Sequence, residues 1–156
     1  MMTTAPDVHD LVERDEISTL IARLGVALDD GDFDGLRALL TDDVTVRTPG
    51  GTAEGHDAVI AQASRNHRPD QPCQHLITNV LIELDGDRAT ARANLVVAFG
   101  PLGGGDRSVR PLDLPVRYTI GEIYRFELRR TPDGWRLARI ETTPLWTSGT
   151  PTPPPG

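Results

Sequence analysis

The spacing of apolar and polar positions changes once along the chain, near Gln74. Before that point apolar residues recur at helical intervals, and after it they alternate. Within residues 11–28, Ile17, Leu20, Ile21, Leu24 and Leu28 stand at offsets 0, 3, 4, 7 and 11, a spacing that gathers them on one side of a helix. Asp7 or Asp10 can cap its start, Glu13, Asp15 and Glu16 suit the positive end of the helix dipole, and Gly31 supplies a left-handed stop. The helix is therefore predicted to end near Asp29 and Asp30. Asp32 reads as a second N-cap, with Phe33, Leu36, Leu39 and Leu40 again at helical offsets before Thr41-Asp42-Asp43 breaks the pattern. Residues 44–48 alternate, Pro49-Gly50-Gly51 is a turn, and His56 through Ala58, Val59, Ile60 and Ala63 predicts a third helix, left at Pro69 and Pro72.

From Gln74 a period of two predicts a meander of long antiparallel strands. They cover residues 74–84, 88–99 and 116–128, and a last one carries Trp135, Leu137 and Ile140 toward Trp146. Asp85-Gly86-Asp87 and Thr131-Pro132-Asp133-Gly134 are the turns. The glycine-rich segment 100–110 includes Gly103-Gly104-Gly105, which lacks a following Lys-Ser or Lys-Thr and opens no helix. It reads as a flexible strand connection near a pocket mouth rather than a phosphate loop. Residues 148–156, with four prolines and two glycines, are expected to form a flexible tail. Residues 1–147 are expected to form one domain.

Helices first and a meander afterwards define the α+β class. Strands of this length extend roughly 35 to 45 Å at about 3.4 Å per residue, and a long twisted sheet coils around what covers it. The expected architecture is a cone-shaped, strongly curved antiparallel sheet wrapped around N-terminal helices, with an internal pocket. At 156 residues one core suffices.

Composition narrows the partners. Sixteen Lys and Arg against 23 Asp and Glu leave a formal charge of −7, which repels phosphate backbones and anionic membrane surfaces. Neither nucleic acid nor membrane is expected. The late arginines Arg125, Arg129, Arg130, Arg136 and Arg139 read as a solvated outer sheet face. Cys73 is the only cysteine, so neither an intrachain disulfide nor a multi-thiolate zinc site can form, and a reducing, cytoplasmic setting is expected. His9, His56 and His67 have no metal-site spacing, so no metal and no cofactor is predicted. No Gly-x-Ser-x-Gly elbow is present.

Four local patterns resemble the SnoaL-like branch of the nuclear transport factor 2-like superfamily. They are Ala27-Leu28-Asp29-Asp30-Gly31-Asp32 with Leu36 and Thr41-Asp42-Asp43-Val44; Gly55-His56-Asp57-Ala58-Val59-Ile60; His75-Leu76-Ile77-Thr78-Asn79 leading to Asp85-Gly86-Asp87-Arg88-Ala89; and Gly134-Trp135-Arg136-Leu137. The resemblance implies a small apolar or aromatic ligand in the cone, and a homodimer through the outer sheet face. Scytalone dehydratase-like members are similar in placing an acidic residue near the end of the first helix and a histidine at the start of the strand after the third. Asp29 and His75 hold those positions. In such a pair the carboxylate fixes the imidazole tautomer and strengthens it as a base. Two departures stand out: Gly25 occurs where many relatives carry a tyrosine, and residues 88–99 contain no second histidine.

Further candidates for substrate contact are Asn79, Tyr118, Glu122, Tyr124 and Trp146. Asn79 follows His75 by four residues on the same strand face and reads either as a donor to a substrate carbonyl or, preferentially, as support for the backbone at a bulge. Tyr118, Glu122 and Tyr124 share one strand parity if no bulge intervenes. Glu122 pairs with an arginine if exposed and acts as an acid or base if buried. Trp135 is expected to pin a hairpin and Trp146 to close the cone mouth. The reading that follows is a cofactor-free lyase, cyclase or isomerase using a His75–Asp29 proton-transfer pair on an apolar ring or polyketide-like substrate. The alternative is a non-catalytic ligand-binding or interaction domain, because this fold hosts both.

Overall fold

The structure is a computed structural model that describes residues 5–103 and 115–153. The first helix, α1 (Val8–Asp30), forms where the periodicity requires it. The Asp7 carboxylate accepts from the His9 amide at its start, and Gly31, at φ 65°, ends it. Its apolar stripe of Ile17, Leu20, Ile21, Leu24 and Leu28 is buried. A short α2 (Phe33–Arg37) follows, with Asp32 accepting from the Gly35 amide. The predicted second helix stops earlier than its apolar spacing suggested, because Leu40 already belongs to a strand. Strand β1 (Leu40–Thr48) and β2 (Gly51–Glu54) make a hairpin, and α3 (His56–Asn66) leads into the meander.

The meander consists of β3 (Cys73–Asp85), β4 (Arg88–Phe99), β5 (Tyr118–Thr131) and β6 (Gly134–Gly149). Together the strands form one sheet in the order β2-β1-β6-β5-β4-β3, antiparallel except where β1 runs parallel to β6. Helix α1 packs on both the edge strand β3 and the interior strand β6, while α3 packs on β1 and β2. A helix laid across a flat sheet would press on the intervening strands β4 and β5 at least as closely as on β6, whereas α1 packs mainly on β3 and β6, so the sheet curls around it. The result is the expected α+β arrangement, with the core between helices and concave face.

Beyond Gly103, the glycine-rich connection expected at the pocket mouth lies outside the described residues, as do residues 154–156. Ser148 and Gly149, assigned to the tail from composition, are part of β6, and the Thr150 amide donates to the Arg117 carbonyl at 2.9 Å. The Gln71 side chain donates to the Thr152 hydroxyl at 2.8 Å. Several of the late arginines are engaged: Arg129 pairs with Asp43, Arg130 with Glu13 and Asp87, and Arg139 with Glu141. Among the described residues no helix is long and apolar enough to cross a membrane.

Candidate functional site

The concave face and helices enclose a cavity of about 660 Å³, within the range of small-molecule sites. Its wall is mostly aliphatic and aromatic, with Leu24, Leu28, Val46, Leu95, Val97 and Ile140 among the apolar members. Polar side chains interrupt that wall, among them His67, His75, Tyr118, Glu122, Tyr124 and Thr142, and Arg65 and Arg68 line it as well.

Asp29 and His75 meet at one edge of this cavity. One carboxylate oxygen of Asp29, Oδ1, lies 2.6 Å from His75 Nδ1 and also accepts from the His75 backbone amide at 2.9 Å. The Cys73 thiol points at the same oxygen from 3.9 Å. The last turn of α1 and the first residues of β3 thus lock together, and Gly25 lets them. A Cβ at position 25 would stand 3.2 Å from Ile77 Cδ1 and 3.5 Å from His75 Cβ, so glycine permits the close approach of helix to strand. The His75 ring is only 2% exposed.

The second imidazole comes from another element. His67, the residue after α3, puts its Nε2 3.2 Å from His75 Nε2, and the ring centroids are 5.0 Å apart. Its Nδ1 faces the Ala63 carbonyl at 3.0 Å. Burial first, and then the neighbouring His75, lower its pKa to about 4. Searching the histidines only for metal-ligand spacing passed over this residue. The available signal was the short loop between α3 and β3, which forces His67 and His75 to stay near each other.

Glu122 is buried on the cavity wall, and its carboxyl group is held above its ordinary range by burial, against the opposing effects of the Thr142 hydroxyl and His75. Of the two roles read from sequence, the exposed ion pair is the one its burial removes. Tyr124 is buried beside it, and desolvation, then Glu122, then Asp29 push its hydroxyl pKa well up, so the group stays a hydrogen-bond donor. Tyr118 lines the cavity and stacks on Phe99 at 6.0 Å. An irregularity between Gly121 and Glu122 falls in the β5–β6 pairing, where Leu145 is the extra residue on β6, so the parity along β5 is kept.

Two candidates are not brought to the cavity. Asn79 is exposed and takes φ 54° at the irregularity between Thr78 and Leu81 in β3; this breaks the parity with His75 on which its selection rested. Trp146 is 49% exposed and lies over Gly121, with ring atoms 2.2 Å from where a Cβ would be. Gly121 precedes the inward-facing Glu122 and faces the outer side, so Trp146 covers the outer surface instead of the mouth. Trp135 is buried, and its indole donates to Glu13 Oε2 at 2.5 Å, a tie from hairpin to α1.

Asp29, Cys73 and His75 each put one ligating atom within 4.8 Å of the others. Donors sharing one tetrahedral zinc sit about 3.3 Å apart, whereas 2.6 Å between Oδ1 and Nδ1 is the length of a charge-assisted hydrogen bond. The Cys73 thiol is raised to about 12 by burial and by Asp29, so it is not a thiolate. The trio is a hydrogen-bonded group.

The family described as SnoaL-like domain matches residues 9–141. The chain belongs to the SnoaL-like family. An uncharacterised Mycobacterium tuberculosis protein, Rv2910c, is 32% identical over 140 residues, 86% of this chain and 88% of its own. Among solved structures, an NTF2-like protein with a cystatin-like fold from Novosphingobium aromaticivorans is 31% identical with a TM-score of 0.69, covering 88% of this chain and 85% of that one. A hexachlorocyclohexane dehydrochlorinase, LinA type 2, aligns over 97% of this chain and 99% of its own with a TM-score of 0.75 and 20% identity. That last likeness is one of fold. These SnoaL-like and NTF2-like relatives agree with the resemblance read from the sequence, and the family reading supports small-molecule binding.

Proposed function

We propose that this SnoaL-like protein is a cofactor-independent lyase, cyclase or isomerase that moves a proton on a small, largely apolar ring or polyketide-like molecule. His75 exchanges the proton with the substrate, and Asp29 holds its tautomer. The observation that carries this reading is the double hold of Asp29 Oδ1 on the His75 ring and backbone amide at the wall of the cavity. One oxygen fixing both the ring and the strand beneath it is an arrangement suited to proton transfer, because the imidazole must keep one orientation through the reaction.

Glu122, Tyr118 and Tyr124 supply the few polar contacts a mostly apolar ligand needs, and a neutral Glu122 or Tyr124 can donate to an oxygen that gains charge. The dehydrochlorinase among the fold neighbours supports the same class of chemistry, since its name describes loss of hydrogen chloride from an apolar ring. The homodimer expected from sequence is retained as part of this proposal, and sedimentation at micromolar concentration tests it, a monomer rejecting it.

The test is a panel of cyclic ketones, β-hydroxyketones and halogenated cyclohexanes incubated with the protein in D₂O and followed by mass spectrometry for exchange or elimination. His75→Ala is expected to lower the rate on any substrate found by about 10²-fold or more. Equal rates for wild type and variant would overturn the assignment. Binding of panel compounds without any turnover would favour a ligand carrier instead.

A further inference from the structure

The hydrogen bonds around the two imidazoles fix where their protons are. Asp29 Oδ1 accepts from the His75 backbone amide while also facing His75 Nδ1, a double acceptor position that suits a carboxylate oxygen rather than the weakly accepting hydroxyl of a neutral acid. The proton in the 2.6 Å contact with His75 Nδ1 therefore belongs to the ring. His67 Nδ1 faces a backbone carbonyl, which can only accept, so that nitrogen is protonated too. Each ring has committed its Nδ1, and the two Nε2 atoms are left facing each other at 3.2 Å. Two neutral rings would oppose lone pair to lone pair at that distance. One additional proton between them turns the clash into a hydrogen bond.

We propose that His67 is a positioning residue that accepts a proton held on His75 Nε2, so that in the empty pocket His75 is doubly protonated and its reactive nitrogen is masked. The proton sits on His75 because Asp29, a carboxylate, stands behind that ring, whereas only a neutral carbonyl stands behind His67. The direction in which His67 is shifted, toward the neutral form by burial and by His75, agrees. The other ionisable groups around the pair are Cys73 on β3 and Glu122 and Tyr124 on β5, all held toward their neutral forms. Arg65 and Arg68 flank His67 on the chain, and Arg68 is taken by Asp70 at 2.9 Å.

For a ligand the consequence is specific, and it rests on reading the cavity as a substrate site; the shared proton does not. A ligand that replaces His67 must offer a hydrogen-bond acceptor, such as a carbonyl or hydroxyl oxygen, to the His75 Nε2–H. The first proton transfer open to it is donation: the Nε2–H bond breaks, an O–H bond forms on the ligand, and His75 becomes neutral with a free lone pair at Nε2. Only then can the ring accept a proton from the substrate.

Nitrogen-15 NMR of the histidine rings in the full chain at pH 7 tests the shared proton. Wild type is expected to show protons on both nitrogens of His75. His67→Phe removes the acceptor, and the His75 Nε2 proton signal is expected to be lost. His67→Gln restores an acceptor through its side-chain carbonyl, and the signal is expected to return, a rescue that filling space alone does not give. A bare Nε2 in wild type, or an Nε2 proton unaffected by His67→Phe, overturns the proposal. Should the phenylalanine variant not fold, wild type decides: as pH falls through about 4, His67 takes its own proton, the rings separate and the shared signal disappears, whereas a signal unchanged across that range contradicts the proposal. None of these readouts requires turnover, so the proton assignment and the enzymatic reading can fail separately.

Discussion

Helix α1 delivers a carboxylate to the sheet near each of its ends, and the two have opposite fates. Near the first turn, Glu13 is 5% exposed and meets Arg130, the Trp135 indole and His9. Arg130 stacks its guanidinium 4.7 Å over the Trp135 ring and reaches Asp87 as well. The hydrogen bond from Arg130 holds the Glu13 carboxyl below its ordinary range in spite of burial. A guanidinium does not give up its proton, so this end is a fixed clamp between helix, hairpin and sheet. At the far end Asp29 meets His75, with His67 behind it, and an imidazole, unlike a guanidinium, can give up its proton. The same side-chain chemistry at the two ends of one helix differs in the cation it faces. On the proposed function, that difference separates structural from chemical use.

The contrast can be broken most severely at the far end. Asp29→Asn removes the charge behind His75 and offers an amide group where a carboxylate oxygen accepted from both ring and backbone. Turnover is expected to fall by about 10²- to 10⁴-fold, measured as initial rates, while the folded fraction in a urea titration changes little by comparison. The next effect is in stability against pH. His67 takes a proton near 6.5 in the unfolded chain and near 4 in the fold, so the unfolded state binds more protons between those values. Stability is then full above pH 6.5 and is lost as pH falls through 4, by about 3 kcal/mol for this group. Urea midpoints measured from pH 7 to pH 4 are expected to show that loss in wild type and a shallower one in His67→Gln.

At the clamp, Glu13→Leu leaves the buried Trp135 N–H without its acceptor, which costs about 1–3 kcal/mol, and ligand binding in the cavity is expected to stay as in wild type. The smallest effect belongs to Gly25→Ala. Alanine favours the helix by about 0.8–1.0 kcal/mol, but its Cβ would press on Ile77 Cδ1 at 3.2 Å. A net change within about 1 kcal/mol is expected by thermal denaturation.

The helix that carries both carboxylates was legible from sequence, because the buried stripe of α1 repeats at 3.6 residues and capping residues stand at both ends. The strands of the meander were legible for the same kind of reason, and β4 begins and ends at the residues where its alternation does. Parallel pairing of β1 with β6 was not, since no local pattern encodes which distant strand becomes a neighbour. Asp29 and His75 were found through resemblance, and the fold brings them into contact. Glu122 depended on the phase of one strand, which could be read only if no residue of β5 was bulged. Asn79 was misplaced for that reason, since an irregularity near Thr78 shifts side chains from one sheet face to the other. Trp146 was assigned to the mouth from its place near the strand end, and the extra residue Leu145 puts it on the outer face instead. His67 was hidden because its partner lies across a loop and shares no periodic pattern with it.

The dyad itself is open to direct observation through the proton on His75 Nδ1. In wild type that proton is expected to resonate far downfield, as one held in a short hydrogen bond to a carboxylate, to survive in Glu13→Leu and to move upfield or vanish in Asp29→Asn. An ordinary, rapidly exchanging Nδ1 proton in wild type, or a downfield one that persists without the Asp29 carboxylate, would contradict the account.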